Sequence, residues 1–294
     1  MSAAITYRPE IDGLRAVAVL AVVLFHAKLG PFTGGYVGVD VFFVISGFLI
    51  TSIVVREIKA QTFSFADFYE RRIRRIFPAL FVIMFAAFVA GWFLLTPKDY
   101  QDFARSAMNT SVFVSNFAFN QHAGYFAPAS DTQPLLHTWS LAVEEQFYVI
   151  APVALLLLYR LTPRQRVGIF AVIFFASLAA AEFGVRNESS WAFYLVHARA
   201  WELMVGMALA LGIVPDLRSR VGAEALGLAG LGLIALAIFR YTPETAFPGL
   251  AALAPCIGAG LVISSTSQQS TLVQRVLATA PMVLSSFPSP IAEL

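Results

Sequence analysis

Two ionisable side chains, Arg15 and His26, lie in one apolar stretch near the start of the chain and could take part in chemistry. They are eleven residues apart, about three helical turns plus 20°, so a helix would place both on one face, roughly 16 Å apart. Residues 14–27 read as a membrane span, with Arg15 near one water interface and His26 near the other. Ionisable groups in a span usually face a protein interior or a wet cavity. The alternative is an interfacial arginine that snorkels and a histidine that hydrogen-bonds a neighbouring helix.

A carboxylate, Asp40, opens the predicted second span, which covers residues 37–55. Because Asp40 follows His26 closely in the sequence, it could orient the imidazole or balance its charge. A negative charge in the first turn of a helix is also favoured by the helix dipole alone. Both interpretations of Asp40 stay open from the sequence.

A basic block precedes the third span and contains four arginines within five positions: Arg71, Arg72, Arg74 and Arg75. The positive-inside rule places this block, and with it the N-terminus, in the cytoplasm. Four arginines are more than topology needs. A second hypothesis is therefore that their guanidinium groups bind the phosphates of a cytosolic ligand.

Two adjacent carboxylates, Glu144 and Glu145, lie within a predicted helix over residues 139–159. Neighbouring residues on a helix point about 100° apart, so the two carboxylates cannot share one face. A carboxylate inside a span needs a cation, a proton or a metal as partner. The sequence leaves two interpretations, a catalytic group or a structural ion pair with an arginine such as Arg199.

The composition predicts the elements that must position these groups. Of the 294 residues, 58% are hydrophobic and 13% are charged, whereas soluble domains carry about 25% charged residues. Apolar runs of membrane length recur along the chain, which predicts an all-α fold, a polytopic transmembrane helical bundle of about eight or nine spans or re-entrant helices. We predict a single membrane-embedded domain over residues 1–294, with spans at 14–27, 37–55, 76–95, 139–159, 167–183, 200–214, 223–239 and 247–263.

The stretch 101–121 is too polar for a lipid-facing span. If it crossed the membrane completely, the arginines at 160–166 would lie on the outer side, against the positive-inside rule. We therefore predict a re-entrant or cavity-lining segment.

Several classes of site lack support in the sequence. The four histidines are scattered and Cys256 stands alone, so no metal site is predicted. There is also no indication of a nucleotide loop or of nucleic-acid binding. The remaining groups suit a reaction that joins a cytosolic anionic donor to an acceptor outside. From the residues alone, a membrane enzyme and a transporter are equally supported.

Five segments in order resemble the acyltransferase-3 family of integral membrane O-acyltransferases. They are YRPEIDGLRA at the start, with ten residues between Arg15 and His26, then GGYVGVDVFFVISGF, FYERRIRRIFPA, HTWSLAVEEQFY and ARAWELMVG. The resemblance is collinear from about residue 7 to about residue 280. It is specific because five motifs recur in the same order.

The resemblance implies transfer of an acyl group, usually acetyl from cytosolic acetyl-CoA, to a carbohydrate outside the bacterial inner (cytoplasmic) membrane. Typical acceptors are lipopolysaccharide O-antigen, exopolysaccharide and peptidoglycan sugars. Acetyl-CoA would be a co-substrate, with no bound cofactor, and the lipid bilayer would surround the protein. By position in the motifs, His26 is the essential histidine, Arg15 its partner, the four-arginine block the basic donor-site motif, and Glu144 and Glu145 the acidic motif.

A mechanism follows as a hypothesis. The CoA phosphates would engage Arg15 and the arginines at 71–75, and the pantetheine arm would bring the thioester to His26. Neutral His26 would take the proton of the attacking sugar hydroxyl, while Asp40 or a glutamate fixes its tautomer. A covalent acyl-enzyme is the alternative.

The sequence departs from the family pattern at its end. The family continues with a span carrying an S-Y-x-x-Y-L-x-H segment, whereas this sequence reads PMVLSSFPSPIAEL there. We therefore expect the last family span to be lacking. Two rival hypotheses are a polytopic carrier of an acyl donor or glycan, and an inactive truncated remnant.

Overall fold

The computed structural model describes residues 7–121, 133–215, 219–267 and 270–285. Within these ranges the chain is helical and contains no strand. The predicted all-α fold is confirmed. Residues 122–132, between α5 and α6, and the end of the chain at 286–294 lie outside the described residues. The helices are α1 Pro9–His26, α2 Gly38–Lys59, α3 Phe65–Leu94, α4 Pro97–Ser111, α5 Ser115–Gln121, α6 Thr138–Leu158, α7 Pro163–Arg186, α8 Trp191–Tyr194, α9 Val196–Ala210, α10 Arg220–Arg240, α11 Leu253–Ser265, α12 Leu272–Leu277 and α13 Ala280–Ser285.

Hydroxyl side chains begin many of these helices. Ser64, Thr96, Thr162 and Ser219 each accept a hydrogen bond from a backbone N–H in the first turn. Thr162 forms a reciprocal capping box with Gln165. Such caps satisfy N–H groups that have no partner inside the helix, and they define where each helix starts.

Five helices are long and apolar enough to cross a membrane: α2 with the turn before it, α3, α6, α7 and α10. The predicted spans at 14–27, 200–214 and 247–263 form α1, α9 and α11, which are shorter or more highly charged. Helix α9 is an interior element of the bundle. Helix α1 buries Glu10 and Asp12 but exposes Leu20 and Val23. The polytopic bundle is therefore confirmed.

The polar stretch 101–121 forms no continuous span. Helix α4 ends at Ser111, the chain turns at Phe113 with a positive φ of 55°, and α5 follows. Asn116 of α5 is buried and exchanges hydrogen bonds of 2.8 and 3.2 Å with Gln146 of α6. This arrangement agrees with the predicted cavity-lining segment, because its polar side chains pair with another helix instead of facing lipid.

Glycines bring α2 and α9 into direct backbone contact. A Cβ added at Gly47 would collide with the carbonyl of Leu203, and one added at Gly206 would collide with the carbonyl of Val44. Small residues allow such close approach between membrane helices. The contact fixes the register of α9 against α2, and thereby the buried side chains between them.

The outer turn after α1 is held by backbone contacts. Gly34 donates from its N–H to the carbonyl of Ile238 at 2.9 Å, and a Cβ there would collide with the carbonyl of Ala237. Thr33 donates to the carbonyl of Tyr241 at 2.6 Å. This close backbone approach fixes the end of α1 near His26 against α10.

Candidate active site

His26 ends α1 at the end of the bundle that we predict to face outward, and its side chain is exposed. Its Nδ1 lies 2.8 Å from the carbonyl oxygen of Val22. Because a carbonyl only accepts, Nδ1 must carry the proton of this bond, which leaves Nε2 with a free lone pair in the neutral ring. The backbone of α1 therefore holds the imidazole in the tautomer that a general base requires.

Asp40 is not the partner that orients His26. It is completely buried and lies 3.1 Å from Nη1 of Arg199, which also lies 2.7 Å from Glu202. Of the two interpretations of Asp40, the one in which it orients the imidazole of His26 is wrong, because Nδ1 of His26 bonds to the carbonyl of Val22. The predicted pairing of Glu144 with Arg199 is not formed either, since Arg199 bonds to Asp40 and Glu202.

The four arginines of the basic block point in two directions. Arg71 pairs with Glu57 of α2 at 2.7 Å, and Arg74 pairs with Glu70 at 2.6 Å, with 78% of its side chain exposed. Arg72 points about 160° away from Arg74 around α3, and Arg75 lies between Arg71 and Arg72. The side chains of Arg72 and Arg75 are half-buried. The structure thus brings two of the four predicted donor-binding arginines toward the interior.

Arg72 lies at the centre of an interior polar cluster. Its guanidinium stacks on the ring of Tyr148 at 3.7 Å, and its Nη2 lies 3.8 Å from Glu145. Glu144 accepts a hydrogen bond of 3.1 Å from the hydroxyl of Tyr148. Arg75 is close enough to Arg15, Arg72 and Glu144 to interact with their charges. We call Arg15, Arg72, Arg75, Glu144, Glu145 and Tyr148 the arginine–glutamate cluster.

This cluster lies well inside the bundle. Arg75 is roughly 15 Å along α3 from the first residue of that helix, and Glu145 is roughly 10 Å along α6 from its first residue. The third helix that contributes to the cluster is α1. There the guanidinium of Arg15 bonds to Asp12 at 3.2 Å. Arg15 and His26 share α1, so the cluster and the imidazole lie along the same helix.

Several polar atoms of the cluster lack a hydrogen bond. Among the described residues, Nε and Nη2 of Arg72 and Oε1 of Glu145 are buried without a hydrogen-bond partner. A buried polar group without a partner costs about 1–3 kcal/mol, more if it is charged. Nη2 of Arg72 and Oε1 of Glu145 lie 3.8 Å apart, as an ion pair too long for a hydrogen bond. An anionic ligand could still accept hydrogen bonds from the two Arg72 nitrogen atoms.

His137 is a residue that the sequence analysis missed. It immediately precedes α6 at the outer side, and His26 is near enough to influence it electrostatically. Part of the ring of His137 is exposed. Desolvation by the surrounding protein lowers the pKa of His137, and a charge on His26 lowers it further. The available signal was its place just before the outer end of α6, on the same side as His26.

A second charged group is buried between α2, α9 and α11. Arg199 bridges Asp40 and Glu202, and the thiol of Cys256 lies within 4.8 Å of both carboxylates. Aromatic rings surround the guanidinium, including Phe193 at 5.4 Å. Arg199 itself supplies positive charge to the two carboxylates. We call Asp40, Arg199 and Glu202 the Arg199 triad.

Comparison with known proteins adds independent information. A family described as an acyltransferase domain (Acyl_transf_3) matches residues 8–286. A putative peptidoglycan O-acetyltransferase, YrhL of Bacillus subtilis, is 37% identical over 212 residues, which are 70% of this chain and 33% of YrhL. An uncharacterised protein of Haemophilus influenzae is 36% identical over 79% of this chain and 99% of its own length.

A putative membrane-bound transacylase, BcsY of Komagataeibacter xylinus, is 36% identical over 87% of this chain and 64% of BcsY. The chain therefore spans about a third of YrhL and somewhat under two thirds of BcsY. No solved structure matches the chain.

Proposed function

Since the chain belongs to the acyltransferase-3 family, as its five motifs predicted, we propose that it is a membrane O-acyltransferase. It moves an acetyl group from cytosolic acetyl-CoA to a hydroxyl group of a carbohydrate outside the bacterial inner membrane. The observation that carries the proposal is the arrangement on α1. One helix presents His26, with a free Nε2, at the outer surface and Arg15 beside the arginine–glutamate cluster inside.

The donor is proposed to bind through the interior arginines. CoA carries a diphosphate and a 3′-phosphate, and arginine binds phosphate through paired N–H donors. Arg72 has two buried nitrogen atoms without a hydrogen-bond partner among the described residues, and Arg75 lies beside it. Arg71 and Arg74 are bound to Glu57 and Glu70 and contribute mainly to the potential at the entrance.

The transfer step uses His26 as a general base. The sugar hydroxyl attacks the thioester carbonyl while Nε2 of His26 takes its proton, a role that typically contributes about 10²–10⁴ in rate. The C–O ester bond forms and the C–S bond breaks. The imidazolium then returns its proton to the CoA thiolate, so the histidine is restored. Glu144 and Glu145 balance the charge of Arg15, Arg72 and Arg75 in this proposal.

The relatives support a choice of the first acceptor class to test. YrhL is described as a putative peptidoglycan O-acetyltransferase, which makes peptidoglycan sugars the first acceptor to test. Exopolysaccharide and lipopolysaccharide O-antigen are the next ones.

The test uses the full chain in nanodiscs with acetyl-CoA, with and without soluble peptidoglycan fragments. We expect release of free CoA that depends on the glycan, together with ester-linked acetyl groups on the glycan. Glycan movement into sealed vesicles without acetylated product would instead support a carrier. Folded protein that neither binds nor hydrolyses acetyl-CoA would support the inactive remnant.

A further inference from the structure

A cavity of about 630 Å³ opens on the outer side of the bundle, apart from His26. Two connections form it, the one between α7 and α9 and the one between α10 and α11. Its volume lies within the range of small-molecule and ligand sites, about 300–1,000 Å³. The side chains that matter are Glu188, Ser189, Ser190, Phe193, Glu244 and Phe247.

The lining combines the groups that a carbohydrate engages. Sugar hydroxyl groups donate to carboxylates, and the apolar faces of sugar rings pack on aromatic rings. Phe193 and Phe247 are half-buried aromatic surfaces, while Glu188 and Glu244 are exposed carboxylates. Hydrogen bonds to charged acceptors are stronger than those between neutral groups.

The charge of the cavity selects among carbohydrates. A hydrogen bond from the side chain of Thr242 lowers the pKa of Glu244, so this carboxylate is ionised at neutral pH. The described lining residues include two carboxylates and no cation. An anionic sugar would meet repulsion here, whereas a neutral sugar or an amino sugar would not.

A row of aromatic rings joins the cavity to His26. The ring of Phe247 lies 5.0 Å from that of Tyr36, which lies 5.4 Å from Phe25, and Phe25 lies 5.2 Å from His26. Tyr36 also donates to the carbonyl of Thr242 at 3.1 Å, which ties the row to the cavity wall. One extended ligand could therefore contact both ends of this surface.

The Arg199 triad supports the aromatic side of the cavity. The guanidinium of Arg199 lies 5.4 Å from the ring of Phe193 and 5.6 Å from that of Phe247. Cation–π contacts of this kind are stronger when the cation is desolvated, and Arg199 is 1% exposed. Arg199 of the triad thus holds the rings of Phe193 and Phe247 in place, so this buried guanidinium has a positioning role.

We propose that this cavity binds neutral or amino-sugar units of an extended acceptor whose reacting hydroxyl lies at His26 on another unit. The inference rests on the proposed function and deepens it. It names the class of sugar unit that the cavity recognises, one without an acidic group, and the surface that recognises it. A single sugar at His26 would leave the cavity unoccupied. We therefore expect the KM of the acceptor to fall as the number of its sugar units increases.

The test compares N-acetylglucosamine with chitotetraose as acceptors for the wild type and the double variant Glu188→Gln/Glu244→Gln. Both glutamates are exposed, so the variant should fold. We expect the KM for chitotetraose to rise about tenfold or more, since two charged acceptors are lost. The KM for N-acetylglucosamine and the binding of acetyl-CoA should stay unchanged. Asp102→Asn removes one carboxylate on α4, outside the cavity, and should behave as the wild type.

An equal KM for chitotetraose in wild type and double variant would overturn the inference. An equal rise for the monosaccharide would also overturn it, because the cavity would then act at His26 directly. If the wild type transfers no acetyl group, the proposed function fails, and direct binding of chitotetraose by calorimetry still tests the cavity. Binding that weakens in the double variant but not in Asp102→Asn supports the inference, and unchanged or undetectable binding refutes it. Tetragalacturonate should bind less tightly than chitotetraose in the wild type, with a smaller difference in the double variant.

Discussion

The imidazole of His26 shows how little of the sequence is needed to fix a tautomer. The carboxylate that next follows His26 in the sequence is not its partner, because the carbonyl of Val22, one turn earlier on the same helix, binds Nδ1. Asp40 instead meets Arg199, which is 159 residues away. A contact within one helical turn can be inferred from sequence, whereas a contact at that distance depends on how the bundle packs.

The arginine block makes a prediction about single residues. Arg72→Gln should weaken acetyl-CoA binding about tenfold or more, because Arg72 is half-buried in the arginine–glutamate cluster with unused donors. Arg74→Gln, the matched control two residues away, should change binding little, because its side chain is exposed and paired with Glu70. The dissociation constant of acetyl-CoA for each variant in nanodiscs is the measurement. Equal weakening by both variants would contradict the two-sided arrangement of α3.

A second residue-scale prediction concerns the pH dependence of stability. The lowered pKa of His137 means that the unfolded chain binds a proton there more readily than the folded chain does. The contribution of His137 is thus fully present above its ordinary pKa of about 6.5 and is lost as the pH falls below it. His137→Gln should therefore lose less thermal stability than the wild type between pH 7.5 and 5.5. Parallel loss in both proteins would show that other groups dominate.

At the scale of elements, the contact of α2 with α9 holds the Arg199 triad together. Gly47→Ala should destabilise the protein by about 1–3 kcal/mol, since its Cβ would collide with the backbone of Leu203. Gly232→Ala on α10 is the matched control, with no atom within 4 Å of the added Cβ. It should be neutral or stabilising by up to about 1 kcal/mol. Thermal unfolding in detergent measures both, and a neutral Gly47→Ala would contradict the close approach.

The elements also show which parts of the fold the sequence could predict. Apolar runs predicted each of the helices α1, α2, α3, α6, α7, α9, α10 and α11, and the polarity of 101–121 predicted a re-entrant or cavity-lining segment, which forms α4 and α5. The phase of α3 places Arg72 on the side opposite to Arg74. Which of the two faces inward could not be predicted, because this depends on where α6 brings Glu145 and Tyr148. The outer cavity was not predicted for the same reason, since two distant connections build it.

At the scale of the whole molecule, the account requires His26 outside and the arginine block inside. Leu29→Cys in the outer turn should react with a membrane-impermeant maleimide in spheroplasts, because Leu29 is 55% exposed. Lys59→Cys at the cytoplasmic end of α2 should react only after the membrane is permeabilised. The native Cys256 is buried and should stay unlabelled in both. The reverse labelling pattern would show that the protein has the opposite orientation. The arginine block would then face away from the cytosolic acetyl-CoA.

The whole molecule also explains why one helix carries so much of the proposed chemistry. Helix α1 starts at the inner side, where Arg8 bonds to the carbonyl of Ile263 at 3.0 Å and to Thr266 at 2.8 Å. It ends at the outer side, where the turn at Gly34 holds it against α10. Because both ends are fixed, the distance between Arg15 and His26 is set by the helix itself. A donor held at one end and an acceptor at the other can then meet in a constant geometry.

The measurement that tests the central claim most directly is glycan-dependent release of CoA from acetyl-CoA by His26→Ala. His197→Ala is the matched control, because His197 is also an exposed histidine at the outer side and stacks on Trp191 away from α1. The account predicts a loss of about 10²–10⁴ in kcat for His26→Ala, with unchanged acetyl-CoA binding, and near wild-type turnover for His197→Ala. Near wild-type turnover by folded His26→Ala would contradict the assignment of His26 as the general base.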